Sequence, residues 1–364
     1  MRATSSAPCR PARSTCRSIS PVKPEMSANS AAPSARSGSG TPAARANLRS
    51  IGMCASNTAE AHHTGRAWRG GINVTARHPL PSRVGRGHPR RMSDSDPAFD
   101  LDRIGGRKAL VGLIDTVLAS GEEAMKLYRA GVANRTKKKP DRSPVTEADE
   151  AVERRLSKHL RARYPEAGFL GEETGASGPE NSGMRWVVDP IDGTRAFIRG
   201  IPTWSILVGL EAEGEPVVGI AYMPAADDLY VAVKGDGARG NGRPLAVSEI
   251  DTVAEATVTH GALSQFTDLQ LGHLLPRLGQ ETYTQRGFAD FDGYRQLVLG
   301  RCDAMIDPGV APWDICAAAV IVREAGGRLT SVGGEDTIYG GGAVASNGHL
   351  HDPLLALLAR PDEG

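Results

Sequence analysis

The chain has 364 residues, with 43 lysines and arginines against 42 aspartates and glutamates, so its formal net charge is only +1. The charge is unevenly distributed, because residues 1–91 hold 15 basic and two acidic residues whereas residues 92–364 hold 28 basic and 40 acidic residues. An acidic folded part argues against a nucleic acid partner and favours cationic ligands or metal ions. No run of about 18 apolar residues occurs, so we expect no membrane span.

The N-terminal segment, residues 1–91, is rich in Ala, Ser, Pro and Arg and shows no hydrophobic period, so we expect it to be disordered. Two interpretations remain open. The segment resembles an organellar transit peptide, or it is a leader that precedes a true start at Met92. After Met92 the only cysteines are Cys302 and Cys316, without metal-finger spacing, which indicates buried thiols in a reducing compartment. We therefore expect a cytoplasmic protein, or an organellar one if the transit peptide is real.

The first half of the folded part predicts two helices followed by strands. Apolar residues at helical spacing predict a helix over residues 110–128, with Gly121 as a weak point. A Lys-rich loop over residues 137–144 leads to a second helix that begins at Thr146. After Pro165 the apolar pattern changes to that of strands separated by turns. The predicted strands cover residues 168–171, 185–188, 203–211, 217–223 and 229–233.

The second half alternates strands with helices. The predicted strands cover residues 257–260, 303–306, 328–332 and 343–346, and the predicted helices cover residues 267–278, 294–299, 314–324 and 352–358. Near the C-terminus, His349 and His351 have no evident partners, and we expect both to be solvated. The order of elements predicts an α/β fold of stacked helix and sheet layers. We expect one domain over residues 92–364, with subdomains at about 98–235 and 236–364.

Four acidic clusters lie at predicted strand ends or helix starts, and each alone has an ordinary explanation. They are Thr146 with Asp149, Glu172 with Glu173, the segment 189–194, and Trp313 with Asp314. A capping box explains the first, a solvated turn the second, and the helix dipole the fourth. In the third, Asp189 and Asp192 stand three apart where a buried strand meets a Gly-Thr helix start. This convergence of two carboxylates favours a functional site.

Taken together, the order, spacing and neighbours of these clusters resemble the inositol monophosphatase superfamily of Mg²⁺-dependent, Li⁺-sensitive phosphatases. The motifs that carry the resemblance are Gly171-Glu172-Glu173, Asp189-Pro190-Ile191-Asp192-Gly193-Thr194, and Trp313-Asp314 with a helix that ends in Glu324-Ala325-Gly326-Gly327. The second motif is highly specific. The resemblance covers roughly residues 104–358. It implies an αβαβα sandwich of the inositol monophosphatase and fructose bisphosphatase type, and a homodimer.

The resemblance further implies a site for two or three Mg²⁺ ions. One ion would be held by Glu172, Asp189 and the backbone carbonyl of Ile191, and another by Asp189, Asp192 and Asp314. Oxygen ligands suit Mg²⁺, whereas imidazole or thiolate ligands would suit zinc or iron. Two such ions can clamp the attacking and leaving oxygens of an in-line phosphoryl displacement and lower the pKa of a bound water.

The residues that would act on the substrate are also implied by the resemblance. Glu172 would orient the attacking water or take a proton from it, assisted by Thr194 and Asp149. The backbone amides of Gly193 and Thr194, at a helix start, would receive phosphate oxygens. Lys139 corresponds to a lysine near the metal site of the family, with its neighbouring lysines as competing matches.

Three segments, residues 199–204, 286–294 and 345–348, resemble the histidinol-phosphatase branch of the superfamily. Histidinol phosphate carries an ammonium and an imidazole, so we expect an acidic pocket, for which Asp290 and Asp307 are the candidates. Asp307 also falls where inositol-cleaving relatives have a glutamate that receives sugar hydroxyls. The expected function is Mg²⁺-dependent hydrolysis of a small phosphate monoester, L-histidinol phosphate, in histidine synthesis. The open alternatives are hydrolysis of inositol-1-phosphate, of fructose bisphosphate or of phosphoadenosine phosphate, and a regulatory module that binds metal or phosphate without turnover.

Overall fold

The computed structural model describes residues 97–131, 137–138, 144–179 and 182–360. The disorder predicted for residues 1–91 and the role predicted for Lys139 lie outside these residues. In the part of the chain that is described, no helix is both long and apolar enough to cross a membrane.

Two long helices form the first layer and confirm the two helices predicted for this half. The eight α-helices of the described residues are α1 (Gly106–Arg129), α2 (Glu147–Arg163), α3 (Thr194–Ile198), α4 (Leu263–Asp268), α5 (Leu274–Glu281), α6 (Asp290–Val298), α7 (Pro312–Glu324) and α8 (His351–Leu358). The apolar stripes of α1 and α2 pack on one face of a large sheet and form the first hydrophobic cluster. Gly121 lets α1 approach this sheet closely, because a Cβ there would lie 2.4 Å from the Tyr222 ring.

The large sheet has eight strands and contains every strand predicted for the first half. The first ten strands are β1 (Lys137–Lys138), β2 (Pro144–Val145), β3 (Gly168–Gly171), β4 (Gly175–Ser177), β5 (Met184–Asp192), β6 (Ser205–Ala212), β7 (Glu215–Met223), β8 (Asp228–Val233), β9 (Gly237–Gly240) and β10 (Arg243–Pro244). The short strands β1 and β2 pair antiparallel across the two ends of the predicted Lys-rich loop. The other eight lie in the order β10-β9-β8-β7-β6-β5-β3-β4, and all neighbours are antiparallel except β3 and β5.

The helices α6 and α7 form the central layer between the large sheet and a second sheet. Their buried apolar side chains belong to the second hydrophobic cluster, which also contains residues of both sheets. The side chains of α7 from Ile315 to Val322 are all buried, which explains why this helix has no polar face. Glycines on β6 and β7 allow it to approach the sheet. A Cβ at Gly209 would lie 2.4 Å from the Cys316 sulfur, and one at Gly219 would lie 2.4 Å from the carbonyl oxygen of Ala317.

The second sheet completes a sandwich of five layers. Its strands are β11 (Thr257–His260), β12 (Thr284–Arg286), β13 (Ala304–Pro308), β14 (Arg328–Thr330) and β15 (Gly342–Ser346), in the order β12-β11-β13-β15-β14. One face shares the second hydrophobic cluster with α7, and the other packs on α4, α5 and α8 in a third cluster. The described residues therefore alternate helix and sheet layers as αβαβα, which confirms the predicted fold class.

The single helix predicted over residues 267–278 is wrong. Two helices, α4 and α5, replace it, and Gln270 between them adopts the left-handed conformation with φ of 60°. A continuous α-helix cannot contain such a residue. The prediction failed because apolar residues on both sides of the break, Phe266 before it and Leu274 and Leu278 after it, keep helical spacing across it and are buried in the same cluster.

The prediction that both C-terminal histidines are solvated is correct for His349 and wrong for His351. The His349 side chain is exposed, but His351 is fully buried. Its Nε2 lies 2.9 Å from the Thr330 hydroxyl and its Nδ1 lies 3.1 Å from the Ser346 hydroxyl. These two partners satisfy the ring nitrogens, so burial of the imidazole leaves no polar atom unpaired. Cys302 and Cys316 are buried and form no disulfide, as the sequence predicts.

Candidate active site

The central acidic residues lie at the end of β5, where a bulge changes the register of the strand. Asp189 pairs with Leu207 of β6 and Asp192 pairs with Ser205, so β5 has one residue more than β6 over this stretch. Residues three apart in a regular strand point to opposite faces, but the extra residue returns Asp192 to the face of Asp189. The sequence predicts that the strand ends at Val188. The structure instead continues β5 through the bulge, and this continuation brings the two carboxylates together.

Glu172 reaches the same place from the neighbouring strand. β3 and β5 are parallel, with Gly171 opposite Val188, so their carboxyl ends lie at the same edge of the sheet. The N–H of Glu172 donates a hydrogen bond of 3.2 Å to the carbonyl of Val188. This bond fixes the start of the turn beside Asp189.

Asp314 enters the site from the first turn of α7. Its Oδ2 accepts a hydrogen bond of 2.6 Å from the N–H of Ala311, and an acid at this position is favoured by the helix dipole. Asp189, Asp192 and Asp314 each offer a carboxylate oxygen, and these three oxygens lie within 4.8 Å of one another. Residues far apart in the sequence therefore converge, as the motif comparison predicts.

Asp149 and Thr194 are also brought together. At the start of α2, Oδ2 of Asp149 accepts hydrogen bonds from the N–H and the hydroxyl of Thr146, which is the predicted capping box. The other oxygen, Oδ1, lies 3.2 Å from the Thr194 hydroxyl, and the carbonyl of Ile191 is a second acceptor for this hydroxyl at 3.0 Å. Asp149 thus caps its helix with one oxygen and faces the site with the other. Helix capping and a role in the site are therefore compatible.

The electrostatics of the site reflect burial and repulsion among carboxylates. Burial raises the pKa of Asp189 and that of Asp192 well above the usual range, and neighbouring carboxylates add to both shifts. Burial also raises the pKa values of Asp149 and Asp314 to about 6. A cluster of this kind favours any cation that reduces the repulsion, and protons compete with metal ions for it.

Two clusters of three acidic residues each have the geometry to hold a metal ion. Among the described residues these are Asp189 with Asp192 and Asp314, and Asp149 with Glu172 and Glu173, in each of which the ligand oxygens lie within 4.8 Å of one another. Both groups offer oxygen atoms only. This donor set fits a hard divalent cation such as Mg²⁺ and does not fit metals that prefer imidazole or thiolate.

Gly193 and Asp290 are in contact at the end of β5. Gly193 has a φ of 80° and precedes the five-residue helix α3. A Cβ at this position would lie 2.9 Å from Oδ2 of Asp290, so both the backbone and the contact require glycine. Asp290 itself has a φ of 57°, a conformation that is strained for a residue with a side chain and is found most often at functional sites. Burial raises the pKa of Asp290, while the charge of Arg195 opposes this shift.

Asp307 is buried, with only 4 % of its surface accessible to solvent. Its Oδ2 accepts a hydrogen bond of 3.3 Å from the Tyr294 hydroxyl. Burial raises the pKa of Asp307 well above the usual range, and the charges of Asp314 and Asp290 raise it further. Asp307 therefore belongs to the same acidic cluster as the predicted metal ligands.

Two residues that hold this site in place lie outside the sequence motifs. The Ser205 hydroxyl donates a hydrogen bond of 2.6 Å to Oδ2 of Asp192. Glu153 is buried and accepts hydrogen bonds from the turn that follows Glu172. A serine in a strand carries no special signal. Glu153, however, is a charged residue on the apolar stripe of α2, four positions after Asp149, and this pattern identifies it.

Five alternating layers with carboxylates gathered at strand ends are the fold and donor set of the metal-dependent phosphoric monoester hydrolases to which the family comparison assigns the chain. The model of the inositol monophosphatase family matches residues 107–361, and the chain belongs to this family. The predicted family and enzyme class are therefore confirmed.

Individual relatives agree with this assignment. The chain is 38% identical over 252 residues to a histidinol-phosphatase of Mycobacterium tuberculosis, a match that covers 68% of this chain and 96% of the relative. It is 34% identical over 232 residues to an inositol-1-monophosphatase of Mesorhizobium japonicum, covering 60% of this chain and 83% of the relative. Among solved structures, the extragenic suppressor protein suhB from Bartonella henselae matches with a TM-score of 0.64 and 28% identity, over 69% of this chain and 99% of that structure.

Proposed function

We propose that this protein is a Mg²⁺-dependent phosphatase that hydrolyses L-histidinol phosphate to L-histidinol and inorganic phosphate. The observation that carries the proposal is the convergence of Asp189, Asp192 and Asp314 at one strand end, with the further acids Asp290 and Asp307 beside them. The first three suit a hard cation, and the other two suit a cationic substrate. Similarity to a histidinol-phosphatase over nearly the whole length of that relative supports the choice of substrate.

In this proposal Glu172, Asp189 and the carbonyl of Ile191 would hold one Mg²⁺, and Asp189, Asp192 and Asp314 would hold another. When bound, the ions supply positive charge that stabilises the attacking and leaving oxygens and makes a bound water more acidic. The raised pKa values of Asp189, Asp192 and Asp314 support this assignment, because a bound cation would relieve the repulsion that contributes to these shifts.

Three side chains of the protein then act on the attacking water. Glu172 orients it towards the phosphorus. Thr194 accepts a proton from the water while it passes its own hydroxyl proton to Oδ1 of Asp149, 3.2 Å away. The pKa of Asp149, raised by burial to about 6, suits a group that accepts a proton near neutral pH. The backbone amides of Gly193 and Thr194 donate to the phosphate oxygens.

Asp290 and Asp307 recognise the ammonium of the substrate. A charge-assisted hydrogen bond contributes on the order of 1.5–3 kcal/mol, which corresponds to about ten- to a hundredfold in affinity. The variants Asp290→Asn and Asp307→Asn should therefore raise KM for histidinol phosphate by about this factor. Hydrolysis of glycerol phosphate, which has no ammonium, should change far less.

Steady-state kinetics of the two variants on both substrates test the proposal, with the exposed Asp251→Asn as the matched control for loss of one negative charge. Equal losses on histidinol phosphate and glycerol phosphate would contradict ammonium recognition. Inositol-1-phosphate would then become the better candidate, in agreement with the inositol-1-monophosphatase relative.

A further inference from the structure

Glu153 is a fully buried carboxylate on the inner face of α2, with 1 % of its surface exposed. Its Oε2 accepts a hydrogen bond of 2.8 Å from the N–H of Glu173. Its Oε1 accepts one of 2.9 Å from the N–H of Thr174 and one of 2.6 Å from the Thr174 hydroxyl. Both carboxylate oxygens are therefore used to bind a single turn of the backbone, the one that follows β3.

This turn carries Glu172, the proposed metal ligand and water-orienting residue. On its N-terminal side, the N–H of Glu172 is bound to β5 through Val188. On its C-terminal side, the next two N–H groups are bound to Glu153. The contact is close, because a Cβ at Gly171 would lie 2.5 Å from Oε1 of Glu153. Glu172 is thus fixed from both sides, and Glu153 supplies one of the two anchors.

The same helix also positions Asp149. Asp149 and Glu153 are four residues apart, so they lie one above the other on the same face of α2. Oxygens of Asp149 and Glu172 lie within 4.8 Å of each other. Asp149, which faces Thr194, and Glu153, which anchors the backbone turn after Glu172, are therefore one helical turn apart on α2.

We propose that Glu153 is a positioning residue, which holds Glu172 at a fixed distance from Asp149 so that metal binding and water activation occur in one geometry. The inference rests on the proposed function. Residues that orient metal ligands from outside the ligand set typically change metal affinity or activity by about ten- to a hundredfold when they are replaced.

Glu153→Gln is the direct test, because it preserves size but places an amide NH₂ against one of the N–H donors of Glu173 or Thr174. Titration calorimetry of the full chain with Mg²⁺, without substrate, should show a dissociation constant raised about ten- to a hundredfold. With saturating Mg²⁺, kcat for histidinol phosphate should fall while KM changes little, because the substrate-binding residues are untouched. Glu150→Gln, an exposed position on the same helix, is the charge-matched control and should leave both values unchanged.

Thr174→Val provides a second variant that keeps the buried charge and both backbone hydrogen bonds. Thr174 is exposed, so loss of its hydroxyl should not prevent folding, and the Mg²⁺ dissociation constant should rise by about two- to tenfold for one lost hydrogen bond. A role confined to stability would lower the melting temperature of Glu153→Gln and leave Mg²⁺ affinity and kcat of the folded protein unchanged. That result would overturn the inference alone. Failure of the wild-type protein to bind Mg²⁺ would overturn both the inference and the proposed function.

Discussion

Replacement of Asp192 by asparagine is expected to abolish turnover and yet leave the fold intact. The Oδ2 atom of Asp192 accepts hydrogen bonds from the Ser205 hydroxyl and from the N–H of Phe291, at 2.6 and 2.9 Å. An asparagine can accept both bonds with its single oxygen. Its NH₂ group then occupies the position of Oδ1, so the variant loses one metal-ligand charge but no packing.

The variant should also be more stable than the wild type when no metal is present. Asp192 lies within 4.8 Å of carboxylate oxygens of Asp189 and Asp314, and two unit charges at that distance repel by about 3 kcal/mol at an effective dielectric constant of about 20. Protonation already relieves part of this repulsion, because burial and neighbouring acids raise the pKa values of the cluster. The repulsion from two neighbours, reduced by this partial protonation, should therefore leave a gain of about 3 kcal/mol, or a rise in melting temperature of about 10 °C.

Mg²⁺ should reverse the order of stability. At a concentration about a thousand times the dissociation constant, a bound ion stabilises the wild type by about 4.1 kcal/mol, which exceeds the advantage of the variant without metal, whereas the variant should gain little. Thermal melts in chelator and in saturating Mg²⁺, with Asp251→Asn as the control for charge, measure both effects. Turnover near the wild-type rate in saturating Mg²⁺ would refute the assignment of Asp192 as a metal ligand. A lower melting temperature than the wild type in chelator would refute the repulsion among the three carboxylates.

Three further predictions concern other parts of the molecule. A chain that starts at Met92 should keep its melting temperature and kinetics, because all proposed site residues follow it; a fall of several degrees would contradict this expectation. Gly219→Ala should cost about 1–3 kcal/mol in urea unfolding, because the new Cβ would meet the Ala317 carbonyl oxygen at 2.4 Å, and an unchanged stability would show that α7 can shift. Burial lowers the pKa of His351 to about 4, against about 6.5 in an unfolded chain, so protonation favours unfolding and its contribution to stability is lost as the pH falls from 6.5 towards 4. The free energy of unfolding of the wild type should exceed that of His351→Gln by a margin that is about 2 kcal/mol smaller at pH 5 than at pH 7. A margin that does not change with pH would refute a neutral buried imidazole.

The sequence predicts the layers of the fold because hydrophobic periodicity is set by local geometry. The helix over residues 110–128 and the strand over residues 257–260 appear at or within a few residues of the predicted bounds. Periodicity does not report a change of backbone conformation between two apolar stretches, and this is why the break at Gln270 was not predicted. It also assigns no partner to a polar residue, and for this reason the buried His351 was placed in solvent.

The site was predicted more completely than the contacts that support it. Asp149, Glu172 and Thr194 are recognised from short motifs, because their chemistry depends on residue types at fixed local spacing. The bulge that aligns Asp189 with Asp192 depends on pairing with β6, which a single strand does not encode.

The comparison of two substrates tests the central proposal most directly. The measurement is the ratio of kcat/KM for L-histidinol phosphate to kcat/KM for inositol-1-phosphate, obtained from phosphate release by the full chain in saturating Mg²⁺ and after chelation. If Asp290 and Asp307 recognise the ammonium, the ratio should be about ten to a hundred or higher. Both activities should disappear after chelation. A ratio near or below one would contradict the histidinol phosphate assignment, and phosphate release that persists after chelation would contradict the metal-dependent mechanism.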